Sequence, residues 1–211
     1  MARKTRNEAL RTREAILDAA IEVFHARGVA RSSLTDIAER IGMTRGAVYG
    51  HFRNKTEVLA AMLERNRYPW DTLAPAAEQA TPDDPLQALT ASLTGMLEHV
   101  TREPKCLRVL TILFHRMELV GENAAMLERI HAARSEAERT IGRLLRSAVA
   151  HGQLAASLDL ALAQRYLLIG LTGAMAETAL EPERWAVRTD AARIVETWIA
   201  GLTSAGLAKR S

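Results

Sequence analysis

Between Thr44 and Lys55 the chain sets Thr44, Arg45, Tyr49, His51 and Lys55, all strong hydrogen-bonding side chains, within one short stretch. A guanidinium such as that of Arg45 can pair with the O6 and N7 acceptors of guanine. The hydroxyls, the imidazole and the Lys55 ammonium suit phosphate oxygens. Gly46 and Gly50 are interleaved with them. Each removes a side chain and opens the backbone to close approach, at roughly 1 kcal/mol of helix propensity. The chemistry on offer is duplex recognition. The plainer alternative is a helical hairpin whose polar face meets only water.

Other reactive residues do not converge. His115 and Glu118 stand at i, i+3, a spacing used for metal ligands, but no second pair accompanies them. A polar contact or a solvated pair explains them without a metal. His25, His99, His131 and His151 have no nucleophile or carboxylate constellation around them. Cys106 is the only cysteine, so an internal disulfide is excluded, and a buried structural thiol fits better than a redox sensor. With no phosphate-cradling glycine loop and no triad, neither a catalytic residue nor a cofactor is expected.

The reading segment needs helices around it. Thr5 to Glu8 has the form of a capping box, and Ile16, Leu17, Ala20, Val23 and Phe24 give the first helix one apolar face before Gly28 stops it. Ser33 to Asp36 is a second capping box, opening a helix with Leu34, Ile37, Ala38 and Ile41 inward. A tight turn, Gly42-Met43-Thr44, leads to a third helix over 45–51 with Thr44 as its cap. Two short helices joined by a glycine-containing turn form a helix-turn-helix. The fourth helix starts at Asn54 or Lys55 and ends or kinks at Pro69.

Further on, 75–85 reads as a loop, Asp84 caps a fifth helix with Pro85 at its first position, and Pro104 starts a sixth that runs to about Gly121. A long seventh over 122–151 carries Met126, Ile130, Ala133, Ala137, Ile141, Leu144 and Ala148 on one face. The eighth runs from Asp159 to about Ala179, and the last begins near Asp190. Nine helices and no convincing strand predict an all-α fold. Only 4% of residues are aromatic, which agrees with a core of Leu, Ala, Val and Ile.

Charge divides the chain. Residues 1–67 carry a net +5 and the rest −2, a basic head on a mildly acidic body, as expected if only the head meets a polyanion. Charged residues interrupt the basic start before any export signal, and the uncharged run from Tyr166 to Ala176 falls far short of the ~20 residues of a membrane span. The expectation is a cytoplasmic protein with no membrane partner.

The stretch from Leu34 to Lys55, with its Tyr49-x-His51-Phe52-x-x-Lys55 ending in register behind the turn, resembles the N-terminal signature of the TetR family of repressors. Ile112 to Glu122, with the opening Met1 to Thr5, resembles the AcrR-type branch that controls multidrug efflux pumps. Two positions depart from that branch: Gly50 stands where many relatives have tryptophan, and Met117 where cysteine is common. The resemblance implies a nine-helix TetR-like fold, with a helix-turn-helix domain at 1–55 and a ligand-binding and dimerisation domain at 56–211. Candidate DNA contacts are Arg3, Lys4, Ser33, Thr35, Thr44, Arg45, Gly46, Tyr49, His51 and Lys55.

The resemblance also implies a homodimer on a palindromic, double-stranded operator. Its last two helices would meet their copies through Tyr166, Leu167, Gly170, Leu171, Ala174, Ile194, Trp198 and Ile199; burial within one protomer is the alternative. A small hydrophobic effector would lie among Met62, Trp70, Met96, Val100, Phe114, His115, Met117, Glu118 and Met175. Methionines adapt to varied apolar ligands, although such residues also fill ordinary cores. Pro69 is a hinge or a simple kink. An efflux operon is the expected target; lipid or catabolic genes, with an acyl or aromatic effector, are the alternative.

Overall fold

The computed structural model describes residues 2–66, 69–74, 84–118, 124–184, 187–203 and 207. Among them are nine α-helices: α1 (Ala2–Arg27), α2 (Leu34–Arg40), α3 (Arg45–Tyr49), α4 (Lys55–Arg65), α5 (Pro85–Arg102), α6 (Pro104–His115), α7 (Ala124–Ala150), α8 (Leu160–Leu180) and α9 (Val187–Gly201). A 3-10 turn at Pro69–Thr72 follows α4. The all-α reading holds among the described residues, and no helix there is long and apolar enough to cross a membrane.

Two compact units emerge, one of residues 1–67 with 108–128 and one of 68–107 with 129–211. The first therefore keeps α4 and most of α6 with the head. In it α1 packs on α2 and α4, and α2 on α3. Ile16, Leu17, Phe24, Ile37, Phe52 and Leu59 are completely enclosed. Gly28 (φ 81°) ends α1 and Gly42 (φ 65°) makes the bend between α2 and α3, both in the left-handed region that glycine enters without penalty.

Arg65, in the last turn of α4, reaches across to α1. Its Nη1 donates to the backbone and carboxylate oxygens of Glu14, both at 3.1 Å, and its Nη2 lies 2.7 Å from Asp18 Oδ1. The Arg13 guanidinium sits 5.1 Å from the centre of the Phe52 ring, a cation–π contact that ties α1 to the end of the reading segment.

In the second unit α5 packs on α9, on α8 and on the 3-10 turn, and α8 packs on α9. Gln164 of α8 donates to the Glu138 carbonyl of α7 at 2.8 Å. Asp84 Oδ1 caps α5 through the Gln87 amide and accepts from Gln153 Nε2 at 2.7 Å. Asp159 caps α8 through the amides of Ala161 and Leu162.

Several sequence boundaries shift. Thr5 lies inside α1 rather than capping it, because Ala2, Arg3 and Lys4 are themselves good helix formers. Helix α3 stops at Tyr49, with Gly50 as its C-cap. Helix α6 stops at His115 instead of running to Gly121; just beyond it, the Arg116 carbonyl accepts the Val29 amide at 2.9 Å. Helix α9 begins at Val187, before Asp190. On α7, Leu145 is fully buried and Leu144 only partly so. Of the expected loop at 75–85, residues 75–83 lie outside the described residues.

Candidate nucleic-acid interface

The reading segment is held by three local caps. Ser33 Oγ accepts the Asp36 amide at 3.2 Å, while the Ser33 amide donates to Asp36 Oδ2 at 2.7 Å, a complete capping box. The Ser33 hydroxyl also donates to Asp36 Oδ2 at 2.6 Å. These Ser33 bonds, with the Arg27 ion pair to the same carboxylate, hold the Asp36 pKa below its ordinary value. Thr44 Oγ1 accepts the Ala47 amide at 3.2 Å and starts α3. Asn54 Oδ1 accepts the Glu57 amide at 2.8 Å, and Glu57 Oε2 takes the Arg53 amide at 2.7 Å, so the entry to α4 is pinned twice.

With its ends fixed, α3 buries a single residue, Val48, and leaves the rest of its surface out. Arg45 lies over the Tyr49 ring at 4.9 Å from its centre and donates from Nη2 to the phenol oxygen at 3.2 Å. Tyr49 remains 43% exposed. A Cβ built on Gly46 would touch nothing within 4 Å, so the fold itself leaves room for a side chain there. The result is a short, braced helix presenting a guanidinium, a phenol and bare backbone outward.

The other candidate DNA contacts fall around this helix. Ser33 is exposed but occupied as a cap; Thr35 and His51 are half-buried; Thr44 is exposed. Arg3 and Lys4 lie within α1, but their side chains lie outside the described residues. Lys55 is committed inward: its Nζ donates to the carbonyls of Val29 at 2.8 Å and Ala30 at 3.3 Å. Arg53, which is not among the DNA contacts expected from the sequence, is exposed beside an open groove of about 650 Å³ shared with Asn54, Thr56, Glu57 and Ala60. A basic residue between His51 and Lys55 was the available signal.

The residues proposed for the effector separate by environment. Met62 is buried in the first unit, where Phe114 is half-buried. Trp70, Met96, Val100 and Met175 are buried in the second. His115 and Glu118 are exposed and Met117 half-buried, and all three line a polar cavity with Arg27, Arg31 and Arg116. Cys106 is buried, and that burial, with the Glu103 charge, pushes its thiol up to about 11.

The proposed interface residues divide likewise. Leu167 and Leu171 have no exposed surface in the single chain and belong to the protomer's own core. Tyr166, Gly170, Ala174, Ile194, Trp198 and Ile199 are half-buried. Gly170 seats the Trp198 ring so closely that a Cβ would lie 3.0 Å from it. The apolar side chains that α8 leaves out are Leu162, at 41% exposure, Ile169, at 69%, and Leu180, at 55%.

Comparison with known proteins gives this arrangement relatives. Residues 16–62 match the family described as bacterial regulatory proteins, tetR family, and residues 84–203 match the MAATS-type transcriptional repressor, C-terminal region. The chain is 33% identical over 199 residues to the probable HTH-type transcriptional regulator ArpR of Pseudomonas putida, covering 94% of this chain and 93% of that one. Among solved structures it is similar to NalD, the secondary repressor of the MexAB-OprM multidrug efflux pump in Pseudomonas aeruginosa. That similarity has a TM-score of 0.78 and 30% identity, over 92% of this chain and 97% of NalD. A SmeT–triclosan complex aligns with a TM-score of 0.75 and 31% identity, over 95% and 96% of the two chains.

Proposed function

The chain belongs to the TetR family of bacterial regulatory proteins, and on that premise we propose that it represses a multidrug efflux operon and is released by a small hydrophobic effector. The carrying observation is α3: a capped helix that buries only Val48 and turns the stacked Arg45 and Tyr49 outward. In a helix-turn-helix the second helix enters the major groove and its first residues meet base edges. Arg45 is the first residue of α3. It reads a guanine, Tyr49 and Thr44 hold phosphates, and the bare Gly46 lets backbone approach the duplex.

Two copies act together. The exposed apolar side chains of α8 are the natural contact with a second protomer, since an unpaired stripe of this kind marks an interaction surface. Two-fold symmetry makes the operator a palindrome, with half-sites about 34–36 Å apart or slightly more. Residues 1–55 read the DNA and 56–211 sense and dimerise. The effector favours a head spacing that misses the two half-sites, and by the same coupling DNA disfavours the effector. An efflux-pump target is supported by NalD, and a hydrophobic effector by the triclosan bound to SmeT.

The test is a labelled-duplex titration with the intergenic DNA upstream of the gene. Arg45→Ala should lower affinity about tenfold or more, the value of one well-made base contact, with an unchanged circular dichroism spectrum. Pump substrates should release the wild-type complex. Sequence-independent binding by the wild type, or full affinity in the variant, would overturn the reading.

A further inference from the structure

A cavity of about 320 Å³ opens where the end of α1, the turn after it and the chain leaving α6 meet. Arg27, Arg31 and Arg116 line it with His115 and Met117, and Glu118 is the one carboxylate in that lining. Of the residues expected around a hydrophobic effector, His115, Met117 and Glu118 stand in this wall, whereas the buried Met62, Trp70, Met96 and Met175 do not. We propose that this cavity binds a small dianion bearing a phosphoryl group, held between the guanidinium groups of Arg31 and Arg116.

The positive charge here is only partly balanced. Arg27 is committed to Asp36. Arg31 spends its Nε on the Arg27 carbonyl at 3.1 Å, which leaves its two terminal nitrogens for a ligand. Arg116 uses its backbone, not its side chain, to hold Val29. Among the described residues no carboxylate pairs with its guanidinium. Arg108 and Arg116 both add to the burial that disfavours a proton on His25, so the field around this corner is positive. Guanidinium forks match phosphoryl oxygens in shape and make charge-assisted hydrogen bonds with them. The concave shape and a volume at the low end for ligand sites favour a small molecule over the convex face of a duplex.

An anion bridging Arg31 to Arg116 would fasten the α1–α2 turn to the end of α6, alongside the bond between the Val29 amide and the Arg116 carbonyl. The consequence for repression rests on the function proposed above; the site itself does not. Thermal unfolding of the full chain in inorganic phosphate, against sodium chloride at equal ionic strength, tests it. At ten times the dissociation constant the wild-type midpoint should rise by about 3–6 °C. Arg116→Ala and Arg31→Ala should stay at their chloride values, while Arg184→Ala, an exposed arginine paired with Glu181 elsewhere, should respond as the wild type does. No excess over chloride in the wild type, or an equal rise in both site variants, would overturn the proposal; should one of them not fold, the other decides. Operator titrations run in parallel in each buffer keep the two ideas apart, because a wild type that binds no operator while gaining stability from phosphate loses the repressor reading and keeps the site.

Discussion

Lys55 Nζ lies 2.8 Å from the carbonyl oxygen of Val29, 26 residues earlier in the chain. The sequence places this ammonium among the phosphate contacts, yet in the folded head it closes the α1–α2 turn against the start of α4. Lys55→Met should therefore destabilise the chain by about 1–2 kcal/mol, in line with hydrogen bonds that involve a charged group. Urea unfolding measures this. A surface residue that only touched phosphate would leave stability within about 0.5 kcal/mol.

Gly46→Ala separates fold from binding. A methyl there meets nothing within 4 Å, and alanine is the better helix former by roughly 0.5–1 kcal/mol. The variant should be slightly more stable and should bind operator more weakly, since the methyl would occupy the space through which backbone nears the duplex. An unaltered operator affinity would show that no such approach takes place.

His25 sets a dependence on acidity. Burial first, then Arg108 and Arg116, hold its pKa below the ordinary 6.5. The unfolded chain thus takes up a proton that the folded chain refuses. Stability contributed at neutral pH declines as pH falls below about 6.5 and goes on declining until the folded-state pKa is reached. Chemical unfolding at pH 7.5 and pH 5.5 should show this loss in the wild type and a smaller one in His25→Gln.

Ile169 is the most exposed large apolar side chain of α8, at 69%. Ile169→Asp should shift the chain toward monomer in size-exclusion chromatography and, on the proposed two-fold reading of a palindrome, weaken operator binding with it. Leu171→Asp, by contrast, should unfold the protomer, since Leu171 has no exposed surface in the single chain. A dimer that survived Ile169→Asp intact would move the interface elsewhere.

Local signals carried furthest in the sequence. Ser33, Thr44, Asn54, Asp84 and Asp159 all cap the helices their neighbours predicted, because a cap is decided within four residues. Contacts made across the fold were not legible. The end of α6 lies beside a bond to Val29, and the Lys55 ammonium turns toward a carbonyl 26 positions away; no spacing rule reaches either. Helix α8 failed for another reason. Apolar residues surround it almost evenly from Leu160 to Leu180, so its pattern does not say which side faces the core and does not separate the buried Leu167 and Leu171 from the exposed Ile169.

Swapping DNA specificity between regulators by grafting residues 1–55 onto a foreign body looks simple on paper. The bond from the Val29 amide to the Arg116 carbonyl makes the graft harder, because the acceptor stays behind with the donor protein. A host whose chain runs differently at that corner leaves the amide without its mate and lets the transplanted head rock. Chimaeras that carry residues 108–118 across together with the head should keep its stance, and with it the operator it was chosen to read.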